Sequence, residues 1–234
     1  MKNIAPGSVL AGIALLFSAS VASATVIDVQ FSASSPSRQQ TGAAVIGAAG
    51  DYWNYFNGAS GAGKLVDTRQ AATGISLTFA ADGAYTANPA NTAFTNTPYA
   101  NLEQGILYTS GSGIKLTLVG LSAGQQYSLY FYTQGDNNSA GRSSTVNVNG
   151  LSEVSTQTNA STFIQGNNYL VFSGAADSLG DLSIGVSARV GEANVNGFQL
   201  APVIVPEPAS FALVGVGLAV LSGFRLVIRR RPAA

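Results

Sequence analysis

Hydrophobic and polar residues alternate over short runs along most of the chain, and glycine, asparagine and aspartate separate these runs. The clearest runs are 75–80, 114–119 and 127–133. Alternation with a period of two places successive side chains on opposite faces of a β-strand. Asn149 and Gly150 lie between two further runs and are typical of a tight hairpin turn. The pattern therefore predicts short antiparallel strands.

About nine strands are predicted, and no helix is evident between residues 25 and 204. The segment 102–108 fits either a strand or a helical turn, and both readings stay open. The sequence predicts an all-β protein with a single, jelly-roll-like β-sandwich domain. The remaining predicted strands are 25–31, 43–46, 144–148, 153–158, 168–173, 181–188 and 195–201.

The N-terminus has the organisation of a secretory signal peptide. Lys2 supplies a positive charge, residues 9–17 are apolar, and Ala22 and Ala24 form a small-x-small cleavage site. We predict a signal peptide at residues 1–24, with cleavage after Ala24. The β-sandwich domain is then expected at residues 25–204.

The C-terminus has three features in a fixed order: a Pro-Glu-Pro sequence, an apolar stretch and a basic end. Residues 209–224 rise about 24 Å as a helix, or about 30 Å if the helix extends to residue 228 and Arg225 snorkels. The terminal arginines are expected to stay on the cytoplasmic side of the membrane. The residues of the motif and of the basic end are Pro206, Glu207, Pro208, Arg225, Arg229, Arg230 and Arg231.

With these features, the segment 205–231 resembles a PEP-CTERM sorting signal. The resemblance implies an exported cargo protein of a Gram-negative bacterium, with an exosortase and the export machinery as partners. It also implies transient insertion of the apolar helix in the inner membrane, followed by processing near the Pro-Glu-Pro motif. The protein would then reach the cell surface or the exopolysaccharide matrix. A permanent tail anchor, which would make the protein a membrane-anchored adhesin, is the alternative.

Composition excludes several function classes. Between the two predicted signals, six basic residues face ten acidic ones, which gives a formal charge of −4 and disfavours nucleic acid as a partner. The chain contains no histidine and no cysteine. Ser-His-Asp and Cys-His catalytic arrangements, and zinc sites with imidazole or thiolate ligands, therefore cannot be built.

An aromatic run at residues 52–56 contains the only tryptophan of the chain. A glycine-rich segment comes directly after it, and we therefore predict a loop or turn. Tyr52, Trp53 and Tyr55 form a candidate platform that would stack on a sugar ring. The alternative is a hydrophobic plug that closes one end of the sandwich.

The order of features after residue 113 gives a second, weaker resemblance. The runs 127–132, 168–172 and 196–200, together with the Gly-Asp-Asn loop at 135–137, are similar to the galactose-binding-like jelly roll of carbohydrate-binding modules. This resemblance implies sugar binding or, equally, an inert spacer.

Catalytic and metal-binding residues are hard to assign. No spacing selects a pair of carboxylates for glycoside hydrolysis, so we expect no catalytic residue and no cofactor. A structural calcium site on Asp28, Asp51 or Asp181 with backbone carbonyls is an open alternative. The favoured hypothesis is a non-enzymatic exported surface or exopolysaccharide-matrix protein with weak carbohydrate binding. A secreted polysaccharide-active enzyme is the rival.

Overall fold

The computed structural model describes residues 25–34, 38–136 and 140–203. In this part of the chain there are fourteen strands, one short α-helix and one 3-10 helix at Pro89–Asn91. The all-β prediction is confirmed. The elements are β1 (Ile27–Ser32), β2 (Trp53–Asn57), β3 (Ser60–Val66), β4 (Ala72–Ala80), β5 (Gly83–Thr86), α1 (Ala100–Gln104), β6 (Gly105–Thr109), β7 (Ile114–Val119), β8 (Gln126–Tyr132), β9 (Ser143–Val148), β10 (Leu151–Thr156), β11 (Tyr169–Ala175), β12 (Leu182–Val190), β13 (Ala193–Val195) and β14 (Gly197–Pro202).

The strands form two large sheets and one small sheet. One large sheet has five strands in the order β11-β8-β14-β1-β2, and the other has six in the order β10-β9-β12-β7-β4-β3. The small sheet has the order β13-β6-β5. Pairing is antiparallel throughout these sheets except between β1 and β2, which are parallel. Parallel neighbours cannot be joined by a tight turn, so a long connection separates β1 from β2 in the chain.

The main hydrophobic core lies between the two large sheets. In β7, Ile114, Leu116 and Leu118 are buried in this core, while Lys115 and Val119 are exposed. Val29 of β1 and Leu129 of β8 are buried in the same core from the five-stranded sheet. The period-two pattern of the sequence thus gives each of these strands one face toward the core.

The polar face of β1 is buried too, although its alternation is typical of a half-exposed strand. Asp28 and Gln30 have no exposed surface, just like the apolar residues between them. The loop of residues 38–51 and the helix α1 lie over this outer face of the five-stranded sheet. Hydrogen bonds from the Gln30 side chain to the carbonyl oxygens of Arg38 and Asn101 hold both segments in place.

Three local predictions need correction or completion. The segment 43–46 forms no strand and belongs to the loop over the five-stranded sheet. The aromatic run, predicted as a loop, forms β2 because it pairs with β1 over five residues. The segment 102–108 contains both alternatives, since α1 ends at Gln104 and β6 begins at Gly105.

Gly105, the first residue of β6, lies directly against the backbone of β1. A Cβ atom at this position would lie 1.9 Å from the carbonyl oxygen of Phe31. Only glycine allows β6 to approach β1 this closely.

None of the helices in the described residues is long and apolar enough to span a membrane. The predicted signal peptide lies outside those residues. So do the Pro-Glu-Pro motif and the arginines of the predicted sorting segment.

Candidate functional site

Trp53, the centre of the predicted sugar platform, is completely buried. Its ring packs in a small second core with Leu102 and Tyr132, and the centroids of the Trp53 and Tyr132 rings are 6.3 Å apart. The indole N–H donates a hydrogen bond of 2.8 Å to the carbonyl oxygen of Gly42. A ring in this position has no free face for a sugar. The platform interpretation is therefore wrong for Trp53. Its ring fills space beneath the loop of residues 38–51, on the outer face of the five-stranded sheet, whereas the plug interpretation placed it at one end of the sandwich.

Tyr52 and Tyr55 are half-buried. The Tyr55 hydroxyl donates a hydrogen bond of 2.5 Å to the carbonyl oxygen of Ser34, and the backbone N–H of Tyr52 donates to the carbonyl oxygen of Thr68. Successive residues in a strand point to opposite faces, so Tyr52 and Tyr55 do not share a face. The three aromatic residues thus do not form one flat surface.

The second core is continuous with a buried layer of polar side chains on the outer face of the five-stranded sheet. Gln199 is its centre: its Nε2 atom donates to Asp28 Oδ1 at 3.0 Å and to the carbonyl oxygen of Ile46 at 3.1 Å. Gln199 Oε1 accepts from the Tyr132 hydroxyl and from the backbone N–H of Ile46. The layer therefore attaches the covering loop to the sheet through hydrogen bonds.

Burial raises the pKa of Asp28 to about 7, against the lowering effect of the hydrogen bond from Gln199. The nearby charge of Asp51 raises this pKa further. Asp28 Oδ2 has no hydrogen-bond partner among the described residues. A carboxylate without full hydrogen bonding is costly to bury, which favours the protonated form.

Glu103 has an even more extreme environment. Burial raises its pKa well above the ordinary value, and neither of its carboxyl oxygens has a partner among the described residues. Burial also raises the pKa of the Tyr132 hydroxyl; the hydrogen bond from Val45 opposes this, and the charges of Glu103 and Asp28 add to it. These groups are closed off from solvent, so they belong to the interior and not to an accessible site.

The three aspartates considered as calcium ligands do not form a site together. Among the described residues, no group of three or more acidic side chains is placed to hold a metal ion. Asp51 Oδ2 instead accepts a hydrogen bond of 2.6 Å from the backbone N–H of Ala48. A site built on one aspartate with backbone carbonyls stays a prediction.

An open cavity of about 450 Å³ lies at one end of the sandwich, where β1, β8 and β14 of one large sheet and β4 of the other contribute residues to its wall. We call this end the terminal pole because β1 starts there and β14 ends there. Register fixes this arrangement, since Ile27 pairs with Leu200 in an antiparallel ladder. Thr25 and Pro202, near the two ends of the described domain, both line the cavity.

The cavity wall combines apolar and polar groups. Its accessible apolar parts come from Ala71 and Ala72, which are exposed, and from Pro202, which is half-buried. Buried core residues such as Ile27 and Leu200 also line it. Polar groups come from Asp67, Thr73, Ser122, Gln125 and Tyr127.

Several of these polar groups are held in place by the backbone. Asp67 Oδ1 accepts from the backbone N–H groups of Arg69 and Ala71, and Gln125 Nε2 donates to the carbonyl oxygens of Gln126 and Val203. Tyr127 Oη accepts from the backbone N–H of Ser122 at 3.2 Å, so the hydroxyl hydrogen can be donated to a ligand. A volume in the range of about 300–1,000 Å³ with few fixed polar groups is usual for small-ligand sites.

The sequence did not reveal this cavity. Its residues come from β1, β4, β8, β14 and the segments that connect strands, and no local motif joins them. Only the antiparallel register of β1 with β14 and the pairing of β14 with β8 bring them together.

Comparison with known proteins identifies the C-terminal segment. Residues 205–231 match the PEP-CTERM protein-sorting motif. The match implies an exported protein of a Gram-negative bacterium and processing by an exosortase, as the sequence features indicated. No curated protein matches the chain at a significant level.

Solved structures give distant likenesses. The plant receptor-like kinase ANX2 matches with 8% identity and a TM-score of 0.37, over 64% of this chain and 54% of that chain. A family 35 carbohydrate-binding module from Clostridium thermocellum matches with 21% identity and a TM-score of 0.28, over 38% and 69% of the two chains. A third, TmCBM61 in complex with β-1,4-galactotriose, matches with 17% identity and a TM-score of 0.29, over 54% and 88%. Likenesses this distant carry no argument about the fold family or the function of this chain.

Proposed function

We propose that the protein is a non-enzymatic component of the cell surface or exopolysaccharide matrix, and that its β-sandwich binds polysaccharide weakly in the cavity at the terminal pole. The single observation that carries the proposal is the cavity wall. The accessible apolar surface of Ala71, Ala72 and Pro202 suits the C–H faces of a sugar, while Gln125 and Tyr127 present neutral hydrogen-bonding groups that suit its hydroxyls.

The small number of acidic residues in the cavity wall favours a binding role over hydrolysis. Asp67 is the only acidic residue among those that line it. Glycoside hydrolysis ordinarily needs two carboxyl groups about 5 to 10 Å apart across the scissile bond. The buried Asp28 and Glu103 cannot supply the second carboxyl group, because both are closed off from solvent.

Sorting depends on the C-terminal motif. The apolar segment after the motif would insert transiently in the inner membrane, and processing would then release the domain. In this proposal the domain reaches the matrix as a free protein, whereas a tail-anchored adhesin would keep its basic end.

The test is affinity electrophoresis of the processed protein in gels that contain the exopolysaccharide of the producing bacterium. Tyr127→Phe removes one donor from the cavity, and Gln125→Ala removes the amide. Each loss of about 1 kcal/mol should weaken binding roughly fivefold. Ser110→Ala, on an exposed loop at the opposite pole, is the matched control and should migrate like the wild type. Equal retardation of all variants, or no retardation of the wild type, would contradict the proposed site.

A further inference from the structure

The two predicted membrane segments of the precursor flank a domain whose first and last strands are neighbours. Because β1 and β14 are antiparallel, residue 25 and residue 203 leave the sandwich at the same pole. A signal peptide and a C-terminal apolar helix can then lie in the same membrane without strain on the domain. In a precursor held by these predicted segments, the terminal pole would face the membrane.

The cavity is at this pole, and its wall includes residues next to both exits. Thr25 is the first residue after the predicted signal peptide, and Pro202 lies one residue before the end of the described domain. The backbone N–H of Val203 donates to the carbonyl oxygen of Gln126 at 2.8 Å, so the chain is held to the sheet up to this residue. The distance from the cavity to the membrane therefore depends on the length of chain between Val203 and the apolar stretch.

This connection is short. Residues 204–208 separate Val203 from the apolar stretch, and five residues reach at most about 18 Å even when fully extended. Such a gap admits small solutes. A polymer chain confined between a membrane and a domain at this distance loses much of its conformational freedom.

We propose that the membrane covers the mouth of this cavity while the C-terminal tail is inserted, so that a polysaccharide chain reaches the cavity only after the tail is removed. Processing by the exosortase would then act as the step that makes the protein competent to bind polymer. This would keep the precursor from binding matrix polymer before release. The inference rests on the proposed function for its ligand, but its test does not use that ligand.

Accessibility of a single cysteine tests the proposal, since the natural chain has none. Ser122→Cys places a thiol at the cavity, and Ser110→Cys places one at the opposite pole as the matched control. Each variant is compared as the full-length chain inserted in phosphatidylethanolamine–phosphatidylglycerol vesicles and as the processed protein. Mass spectrometry establishes which ends each form carries. The probes are N-ethylmaleimide and a maleimide coupled to a long polyethylene glycol chain.

We expect the polymer-coupled maleimide to react with the thiol of Ser122→Cys about tenfold more slowly in the inserted chain than in the processed protein, because confinement of the polymer is entropically unfavourable. N-ethylmaleimide should react at similar rates in both forms, and the control position should show no difference with either probe. A flexible Gly-Ser insertion after Val203 should restore the fast reaction. If Ser122→Cys does not fold, Gln125→Cys provides the same measurement.

Equal polymer labelling of the inserted and processed forms would overturn the proposal, as would a slow reaction that the Gly-Ser insertion fails to relieve. Failure of the proposed polysaccharide binding would give a different result. The inserted and processed forms would still differ in polymer labelling, but the processed protein would not be retarded by polysaccharide.

Discussion

Asp28→Asn tests the buried polar layer through the dependence of stability on pH. Asp28 has a pKa of about 7 in the folded protein and an ordinary value of 3.8. Below pH 3.8 the carboxyl is protonated in both states, so its stabilising contribution is fully present. As the pH rises toward 7 the unfolded chain releases the proton and the folded protein keeps it, so stability is lost over this window.

The size of this loss is set by the two pKa values. Their difference of about 3 corresponds to roughly 4 kcal/mol in the free energy of unfolding. The asparagine side chain of the variant would stay neutral at every pH and keep an Oδ1 acceptor for Gln199. Its amide group would occupy the place of Oδ2, which has no partner among the described residues, at a cost of about 1 kcal/mol.

The effect of Asp28→Asn should therefore change sign with pH. The variant is expected to be about 0.5 kcal/mol less stable than the wild type at pH 4, where the unfolded carboxyl is already partly ionised, and about 3 kcal/mol more stable at pH 8. Urea unfolding can be followed by fluorescence of Trp53, the only tryptophan. Glu153→Gln, at an exposed position of β10, removes a carboxyl charge without changing the interior and serves as the control.

Parallel curves of unfolding free energy for wild type and Asp28→Asn between pH 4 and pH 8 would refute this reasoning. They would mean that Asp28 is hydrated in the folded protein, and that the loop of residues 38–51 does not close over it in solution. The same curves report on Glu103, whose pKa is raised by burial alone. Because Glu103 is present in both proteins, its effect cancels in the difference.

Two further predictions concern packing. Trp53→Ala should lower the free energy of unfolding by about 3–5 kcal/mol, measured by urea unfolding with circular dichroism; a loss below about 1 kcal/mol would mean that the ring is not in a core. Gly105→Ala should lower the free energy of unfolding by at least about 3 kcal/mol or prevent folding, because the new Cβ would overlap the Phe31 carbonyl oxygen. Gly111→Ala is the control and should be nearly neutral, because no atom lies within 4 Å of its Cβ position. A Gly105→Ala variant as stable as Gly111→Ala would show that β6 lies farther from β1 than described.

Local patterns in the sequence were sufficient for strands with clear period-two alternation and for one tight hairpin. The alternation in 114–119 and 127–133 corresponds to β7 and β8, and the Asn149-Gly150 turn joins β9 to β10. Both turn residues have positive φ angles, 46° and 91°, as a type I′ hairpin requires. These features depend on the conformation of a few adjacent residues, and those residues are visible in the sequence.

The strand β2 could not be predicted in this way. Its residues are aromatic and glycine comes after them, which is typical of a loop, but the strand exists because of its parallel pairing with β1 across a long connection. The same holds for the glycines of β3. A Cβ at Gly63 would lie 2.9 Å from the Phe56 ring, so this glycine makes room for an aromatic side chain instead of marking a turn.

The aromatic run and the cavity show why a binding site is harder to predict than a fold. Burial of a large aromatic side chain contributes several kcal/mol to folding, so a cluster of aromatic residues is explained by stability before any ligand is considered. The cavity groups come from separate parts of the chain, so no local pattern selects them, and the buried ones, such as Ile27 and Tyr127, are explained by the core before any ligand is considered. The antiparallel pairing of β1 with β14 places them together, and the same pairing brings residues 25 and 203, the two ends of the described domain, to one pole. The position of the cavity and its relation to the predicted processing sites thus follow from one register, and a test of either is a test of that register.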